Sequence, residues 1–359
     1  MPLKTPFITH LGVVKERMGI IVEMRDRDGL SGYGEGVAFS SPWYTEETVF
    51  TSLHVITEFL IPLLQHNPIE HPDQAITLFK GIRRNHMAKA ALETALWDLY
   101  AKQESKSLSM LLGGGGRKQI PAGVVVASDS ASIALSQIES YLKAGYQRIK
   151  VKIHPNQDYE FIKEIRRHHP ELPIMADANS AYSLKDVDRL KALDEFNLLM
   201  IEQPLGFDDI IEHAILQKEM TTPICLDESI VTFEDARKAV ELRSCRVINI
   251  KVGRVGGLSE AKRIHDYCFE KGIQVWCGGM IEFGVSRAHN IALASLPGFS
   301  IPGDISSSSR FWEEDIITPE VTVENGMIQV PTEPGIGFDL DRKRLNQTLV
   351  TKHSFKLKT

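Results

Sequence analysis

The sequence predicts an α/β protein, a closed parallel barrel of (β/α)7β order carrying an α+β capping unit. Three observations predict it. Short apolar runs, each ending in an ionisable residue, recur along the chain as RIKVKI, PIMADAN, LLMIEQP, PICLDES and RVINIKVGRVGG. Lys152, Asp177, Glu202 and Asp227 stand 25 residues apart, and Lys251 follows 24 residues after Asp227. A strand, a crossover helix and two short loops need about 25–30 residues, so the chain returns to one height of a parallel sheet five times. Second, from Gly116 to Pro302 the chain alternates between strand and helix patterns. Third, 359 residues suit a barrel of about 200–250 residues plus a companion domain.

From residue 1 to 112, strands come first and helices follow. GIIVEM at 19–24 and GYGEGVA at 32–38 read as strands, with Asp26-Arg27-Asp28-Gly29 as the turn of an antiparallel meander. Thr45 is placed to N-cap the next helix, with Glu46 and Glu47 in its first turn against the helix dipole. Its apolar stripe is Val49, Leu53, Val55, Ile56, Phe59 and Leu60. A second helix spans 87–103, with Ala91, Leu92, Ala95, Leu96 and Leu99 on one face. Both helices are expected to lie on the meander. The glycines from Gly113 to Gly116 mark a boundary.

Barrel strands are expected near 120–126, 147–153, 173–177, 198–202, 223–227, 246–251, 273–277 and 299–303. Amphipathic helices at 158–167, 184–192 and 234–242 separate some of them. Eight strands in βα order favour closure over an open sheet, and no G-x-G-x-x-G follows the first strand to support dinucleotide binding. After Pro302-Gly303-Asp304, 320–323 and 327–330 read as strands that rejoin the N-terminal region. The expected division is 1–112 for the capping domain, 113–305 for the barrel and 306–359 for the returning segment.

Composition excludes several classes. A hydrophobic fraction of 43% and a charged fraction of 25% are those of an ordinary globular protein. A net charge of −6 with interspersed signs gives no footprint for nucleic acid. No run reaches 18 apolar residues, and MPLKTPF has no signal-peptide core, so no membrane partner is expected. Cys225, Cys245, Cys268 and Cys277 lack C-x-x-C spacing and read as reduced structural thiols of a cytoplasmic protein.

The chemistry sits at the strand ends. Lys150 and Lys152 share one face of their strand, and Ile149, Val151 and Ile153 take the other. An edge strand with a solvated lysine face would explain the pair. A barrel strand is covered on both faces, however, and its inward lysines need anionic company. Asp177, Glu202 and Asp227 supply it. Any one acid could be a helix N-cap, but three in register form a ligand set. Their hard oxygens suit Mg²⁺, or Mn²⁺ in its place, and no histidine on these ends argues for zinc. Asn249 and Lys251 repeat the logic across the arc. A metal between two lysines suits proton abstraction beside a carboxylate, with the metal offsetting developing charge and a lysine taking the proton. Such a lysine must be partly neutral near pH 7, and nearby positive charge and desolvation are expected to lower its pKa.

KVKI, DAN, IEQP, LDES, NIK with GRVGG, and VWCGGM together resemble the o-succinylbenzoate synthase/N-acylamino acid racemase group of the enolase superfamily. PWYTEET and PGDISSSSR match as well, so the resemblance covers nearly the whole chain. It implies a TIM-like barrel and Lys152 with Lys251 as acid/base pair. It further implies Asp177, Glu202 and Asp227 as Mg²⁺ ligands, with Asn179 and Gly278, Gly279 and Met280 near the substrate carboxylates. Loops at 7–12 and 39–44, including Trp43 and Tyr44, would close over the site. The substrate class is a small-molecule carboxylate, and a homo-oligomer is the expected assembly. The implied activity is the syn-dehydration that yields 2-succinylbenzoate in menaquinone biosynthesis. The alternative is two-base racemisation of N-succinylamino acids, for which Arg254 could tune Lys251. A barrel that only binds is the rival of a different class, and the intact arc of five residues argues against it.

Three features depart from the group's pattern. The resemblance implies some ten residues before PLKTPF, forming a first strand. Glu282-Phe283-Gly284 replaces E-T-G and is expected to put a ring at the pocket rim. Val125, in GVVVA at 123–127, stands where many relatives carry serine. Among other candidates, Cys277 reads as a buried thiol, His154 and His265 as surface or packing residues, and the serines from 306 to 309 as a loop. Glu282 reads equally as a site residue or as a partner for loop backbone.

Overall fold

The computed structural model describes residues 1–9, 12–126, 128 and 130–356. Pro2–Thr9 (β1) pairs antiparallel with Gly12–Glu16 (β2), and Ile20–Arg25 (β3) with Ser31–Gly36 (β4). Between β3 and β4 the Asp26 carboxylate accepts from the backbone N–H of Asp28 and Leu30, which makes the expected turn. The β1–β2 hairpin departs from the sequence reading. Pro2 and Pro6 remove ladder donors, which disguises β1, and the register slips between Pro2 and Phe7. The expected loop at 7–12 is therefore largely strand, and His10 and Leu11 within it lie outside the described residues, as does Ala127.

Two helices, Val49–Val55 and Ile61–His66, are joined by a π-helical turn, Ile56–Leu60. Thr48 is the N-cap, not Thr45, and its hydroxyl accepts from Thr51 N–H. Val49, Ile56 and Leu60 are buried as expected, but Phe59 is exposed because the π turn shifts the buried face. The helix His86–Gln103 lies across β3 and β4. A Cβ on Gly34 would collide with the Ala91 carbonyl, so only glycine permits that approach.

The barrel follows. Gln119–Pro121 (β5) and Val124–Val126 (β6) divide the single strand expected at 120–126. Then come Ile149–Lys152 (β7), Ile174–Asp177 (β8), Met200–Glu202 (β9), Ile224–Leu226 (β10), Val247–Ile250 (β11) and Gln274–Cys277 (β12). From β6 to β12 each strand pairs in parallel with the next in sequence. The expected eighth strand closes the ring through two single bridges, Phe299 to Val275 and Gly303 to Ala122. Pro302 between them has no N–H to extend a ladder.

The period of two along each strand builds the site. Met175, Met200, Cys225, Val247, Trp276 and Ile301 fill the barrel interior as one buried cluster. Two residues further on, the same inward face carries Asp177, Glu202, Asp227, Asn249 and Gly278. The alternate residues, such as Ile174, Ala176, Ile201, Ile224 and Ile248, join the apolar layer beneath the helices. Close packing below and polar groups above follow from one alternation.

The C-terminal segment differs in detail from expectation. No strand forms at 320–323, and Met327–Gln329 pairs with β5 rather than with the N-terminal meander. The N-terminal elements are reached by later residues. Ile336 N–H donates to Asp98, Leu108 N–H to the Gly335 carbonyl, and Arg342 to Glu23 at 2.7 and 2.8 Å.

Candidate active site

Residues on or just beyond the barrel strands, together with Phe7 and the 39–44 and 304–311 segments, line a cleft of about 800 Å³ at the C-terminal end of the barrel. Lys152 stands opposite Asp177 in the β7–β8 ladder, and Asp177 opposite Glu202 in the β8–β9 ladder. Asp227 and Lys251 lie one residue beyond β10 and β11. β7 and β11 are four places apart in a ring of eight, so Lys152 and Lys251 face each other across the mouth. The five residues singled out by their spacing thus converge.

The charges interlock. Lys152 Nζ donates to Asp177 Oδ2 and Asn179 Oδ1, both at 2.6 Å. Lys150 Nζ lies 2.8 Å from Asp177 Oδ2, 2.5 Å from Glu202 Oε2 and 3.3 Å from Asp304 Oδ2. Lys251 Nζ lies 2.8 Å from Asp227 Oδ2 and 2.9 Å from the Tyr44 hydroxyl. Arg254 pairs with Asp227 Oδ1 and donates to Tyr44 at 3.1 Å. Burial pulls the Lys150 ammonium down, but Asp177, Glu202 and Asp304 outweigh it and hold the pKa well above the ordinary value. Lys251 is likewise raised, with burial opposed chiefly by Tyr44, Glu228 and Glu202. For Lys251 the shift runs opposite to the downward one expected of a lysine base, because Tyr44 and the nearby carboxylates outweigh burial and the like charge of Lys150.

The remaining expected residues fall into place around this core. Asn179 bridges Lys152 to Glu228, its Nδ2 donating to Glu228 Oε1 at 3.1 Å. Gly279 and Met280 line the cleft. Gly278 lies against Asn249 and Lys251, and a Cβ there would strike the Asn249 amide. The Trp43 ring packs at 4.6 Å on Phe39, beside Tyr44, and both Trp43 and Tyr44 line the cleft.

Part of the backbone strain of the chain lies here. Asn179, Gln203 and Ile281 have φ of 41°, 37° and 56°, left-handed values that non-glycine residues hold only when surroundings enforce them. Arg17 enforces the last, donating from Nε to the Ile281 carbonyl at 3.1 Å while its other nitrogens bind the carbonyls of Val37 and Ala38. Gln203 ties two strand ends together, its Oε1 accepting from Asp227 N–H and its Nε2 donating to Ser229 Oγ.

Two expectations resolve differently. Phe283 is buried against Trp312, ring centroids 4.8 Å apart, and does not line the cleft. Its backbone N–H donates to Glu35. Glu282 does both of the things considered for it, lining the cleft and accepting from Met280 N–H. Cys277 is buried, and burial pushes its thiol far up, as fits an inert residue. His265 packs between Phe269 and Phe299. Sequence reasoning missed Gln203, Glu228, Asp304 and Arg310. Asp304 carried a legible signal, since it directly follows the eighth strand pattern.

Among the described residues no three acids stand together as a ready-made ligand cluster, because the Lys150 ammonium sits between Asp177 and Glu202. The donor set nonetheless fits a hard cation. It is all oxygen, and the buried atoms Glu202 Oε2 and Glu228 Oε2 receive no well-directed hydrogen bond.

Residues 1–113 match the mandelate racemase/muconate lactonizing enzyme N-terminal domain family, and residues 134–344 match the enolase C-terminal domain-like family. The chain belongs to the enolase superfamily. An o-succinylbenzoate synthase of Geobacillus stearothermophilus is 58% identical over 97% of this chain and 92% of its own length. An N-succinylamino acid racemase of Thermus thermophilus is 45% identical over 95% and 92%. A crystal structure of an enolase superfamily member from Listeria innocua superposes with a TM-score of 0.94 at 46% identity, covering 96% of this chain and 93% of that one. No helix among the described residues is long and apolar enough to cross a membrane.

Proposed function

We propose that this enolase superfamily chain is an o-succinylbenzoate synthase, dehydrating 2-succinyl-6-hydroxy-2,4-cyclohexadiene-1-carboxylate to 2-succinylbenzoate for menaquinone biosynthesis. The observation that carries the reading is the pair of lysines facing each other across three strand-end carboxylates. The 58% identical Geobacillus synthase supports the substrate. Lys152 removes the α-proton and delivers a proton to the hydroxide departing from the same face. Asn179 and Asp177 aim its Nζ. Lys251 stays cationic beside Tyr44 and Asp227 and offsets charge on the substrate. Trp43, Tyr44 and Phe39 form the wall that limits water. Asp177, Glu202 and Asp227 would hold Mg²⁺, or Mn²⁺ in its place, which when bound would supply positive charge to offset the charge that develops on the substrate.

The test is turnover of the cyclohexadiene by the purified chain with Mg²⁺ and again in excess chelator, with circular dichroism of both samples. Product should form only with the metal, and the fold should persist without it. No turnover with Mg²⁺ would overturn the synthase assignment, and full turnover in chelator would overturn the ligand assignment.

A second activity, racemisation of N-succinylamino acids, is favoured by the same two lysines, one on each face of the α-carbon, and by the Thermus relative. Arg254, packed against the Asp227 and Tyr44 partners of Lys251, would tune that lysine. Four buried free cysteines suit a reducing compartment, and we place the protein in the cytoplasm.

A further inference from the structure

Three of the cations lining the cleft are matched by acids. Lys150, Lys152 and Lys251 each have a carboxylate oxygen within 2.8 Å. Arg310 lines the same cleft, and among the described residues no carboxylate stands within ion-pair distance of it. Its guanidinium is fixed by neutral groups instead. Nη2 donates to the Val125 carbonyl at 2.8 Å, and Nη1 to the Tyr141 hydroxyl at 3.2 Å. The rings of Tyr141 and Phe311 flank it at 5.5 and 5.7 Å. Phe311 is in turn pinned through its carbonyl by the backbone N–H of Lys4 in β1.

This arrangement leaves most of the guanidinium's five N–H groups for a ligand. The side chains of Val124, Val125, Phe7 and Phe311 on this part of the cleft wall are apolar. A charge with no counter-ion among the described residues, beside apolar surface, favours an anion, and the planar fork of arginine matches a carboxylate. The anion is not the carboxylate next to the reacting carbon, which belongs among the strand ends between Lys152 and Lys251. Arg310 sits away from that centre, on the β6 side, where Val125 is the register partner of Lys150.

We infer that Arg310 anchors the second carboxylate of a dicarboxylate ligand, the one at the end of the succinyl arm. The assignment rests on the synthase and racemase reading of the site, in which both substrates carry that arm. It makes Arg310 a specificity-determining residue that discriminates succinyl from uncharged acyl groups.

Binding to the Mg²⁺-loaded protein tests it by calorimetry, with 2-succinylbenzoate and with the same molecule methyl-esterified at the succinyl carboxylate. The wild type should prefer the diacid by roughly 10- to 100-fold, the range for hydrogen bonds to a charged group. Arg310→Gln should lower diacid affinity to that of the ester and leave ester affinity unchanged, and Arg310→Lys should restore part of the preference. In turnover, Arg310→Gln should raise KM with kcat little altered. A merely structural role would weaken both ligands alike, and that result, or an unchanged preference in Arg310→Gln, overturns the inference. A wild type that dehydrates substrate without preferring the diacid sinks the inference alone. One that shows the Arg310-dependent preference but does not dehydrate sinks the synthase reading alone, and one that binds neither ligand sinks both.

Discussion

Among the described residues, Tyr44 is the one hydroxyl that touches Lys251, Arg254 and Asp227 at once, at 2.9, 3.1 and 3.4 Å. Its position on the 39–44 segment makes the orientation of Lys251 depend on a residue far away in sequence. Tyr44→Phe removes that link and keeps the ring. We expect racemisation, which needs proton transfer through Lys251, to slow by about 10-fold or more, the loss typical of a hydrogen bond to a charged group. Dehydration, which needs only the charge of Lys251, should slow less, and steady-state assays of both reactions check this. A second residue-scale expectation concerns stability. Burial lowers the His86 imidazole to about 4, with Lys89 and Arg84 adding to the effect. The folded state thus keeps His86 neutral while the unfolded chain takes a proton near its ordinary value of about 6.5. The unfolded state binds more protons between these values, so this group makes stability rise as pH climbs from about 4 to 6.5. Denaturant melts across that window should show a shallower rise for His86→Asn than for wild type, by at most about 3 kcal/mol over the window. Identical slopes would mean that His86 is not held neutral.

At the scale of elements, buried glutamates from the N-terminal region cap the starts of other helices. Glu47 accepts from Met87 and Ala88 N–H, Glu93 from Leu258 and Ser259 N–H, and Glu35 from Phe283 and Ser286 N–H. Two of those helices, Leu258–Glu270 and Gly284–Ala294, belong to the barrel, so these caps also dock one part of the molecule onto another. Glu93→Ala leaves two helix N–H groups and the Ser259 hydroxyl without their acceptor, and leaves the Trp97 indole N–H with Ser259 Oγ alone. We expect it to cost about 2–4 kcal/mol in urea melts, more than a surface cap, because the orphaned groups are buried. A loss below about 0.5 kcal/mol would show that solvent replaces the cap. These contacts mark where sequence reading ends. A cap supplied locally, such as Thr232 to Asp235 N–H, follows from adjacency. Glu47 looked like a first-turn acid of the nearest helix but caps one that begins some forty residues later, at His86. The β1 strand was hidden by its prolines for a similar reason, since its pairing rather than its composition defines it.

At the scale of the whole molecule, the barrel and its site were legible because both repeat along the chain. One period set the strands, and one alternation within each strand separated the interior cluster from the ionisable rim. Arg310 escaped because it lies where the repeat stops and the chain turns irregular, whereas Asp304 was passed over although it directly follows the eighth strand pattern. The raised pKa of Lys251 was not legible either, since it depends on distances of a few ångströms to Tyr44 and the nearby carboxylates. What the spacing did place, Lys152 and Lys251 on opposite sides of one mouth, is the central claim. Lys251→Arg tests it most directly, because arginine keeps the charge but is too basic to exchange a proton usefully. The measurement is loss of the α-proton from each enantiomer of an N-succinylamino acid in deuterium oxide, followed by NMR. The variant should wash out the α-proton of the enantiomer that faces Lys152 and leave the other untouched, with residual synthase turnover and racemase turnover at background. Equal loss of exchange from both enantiomers would contradict the placement of one lysine on each face.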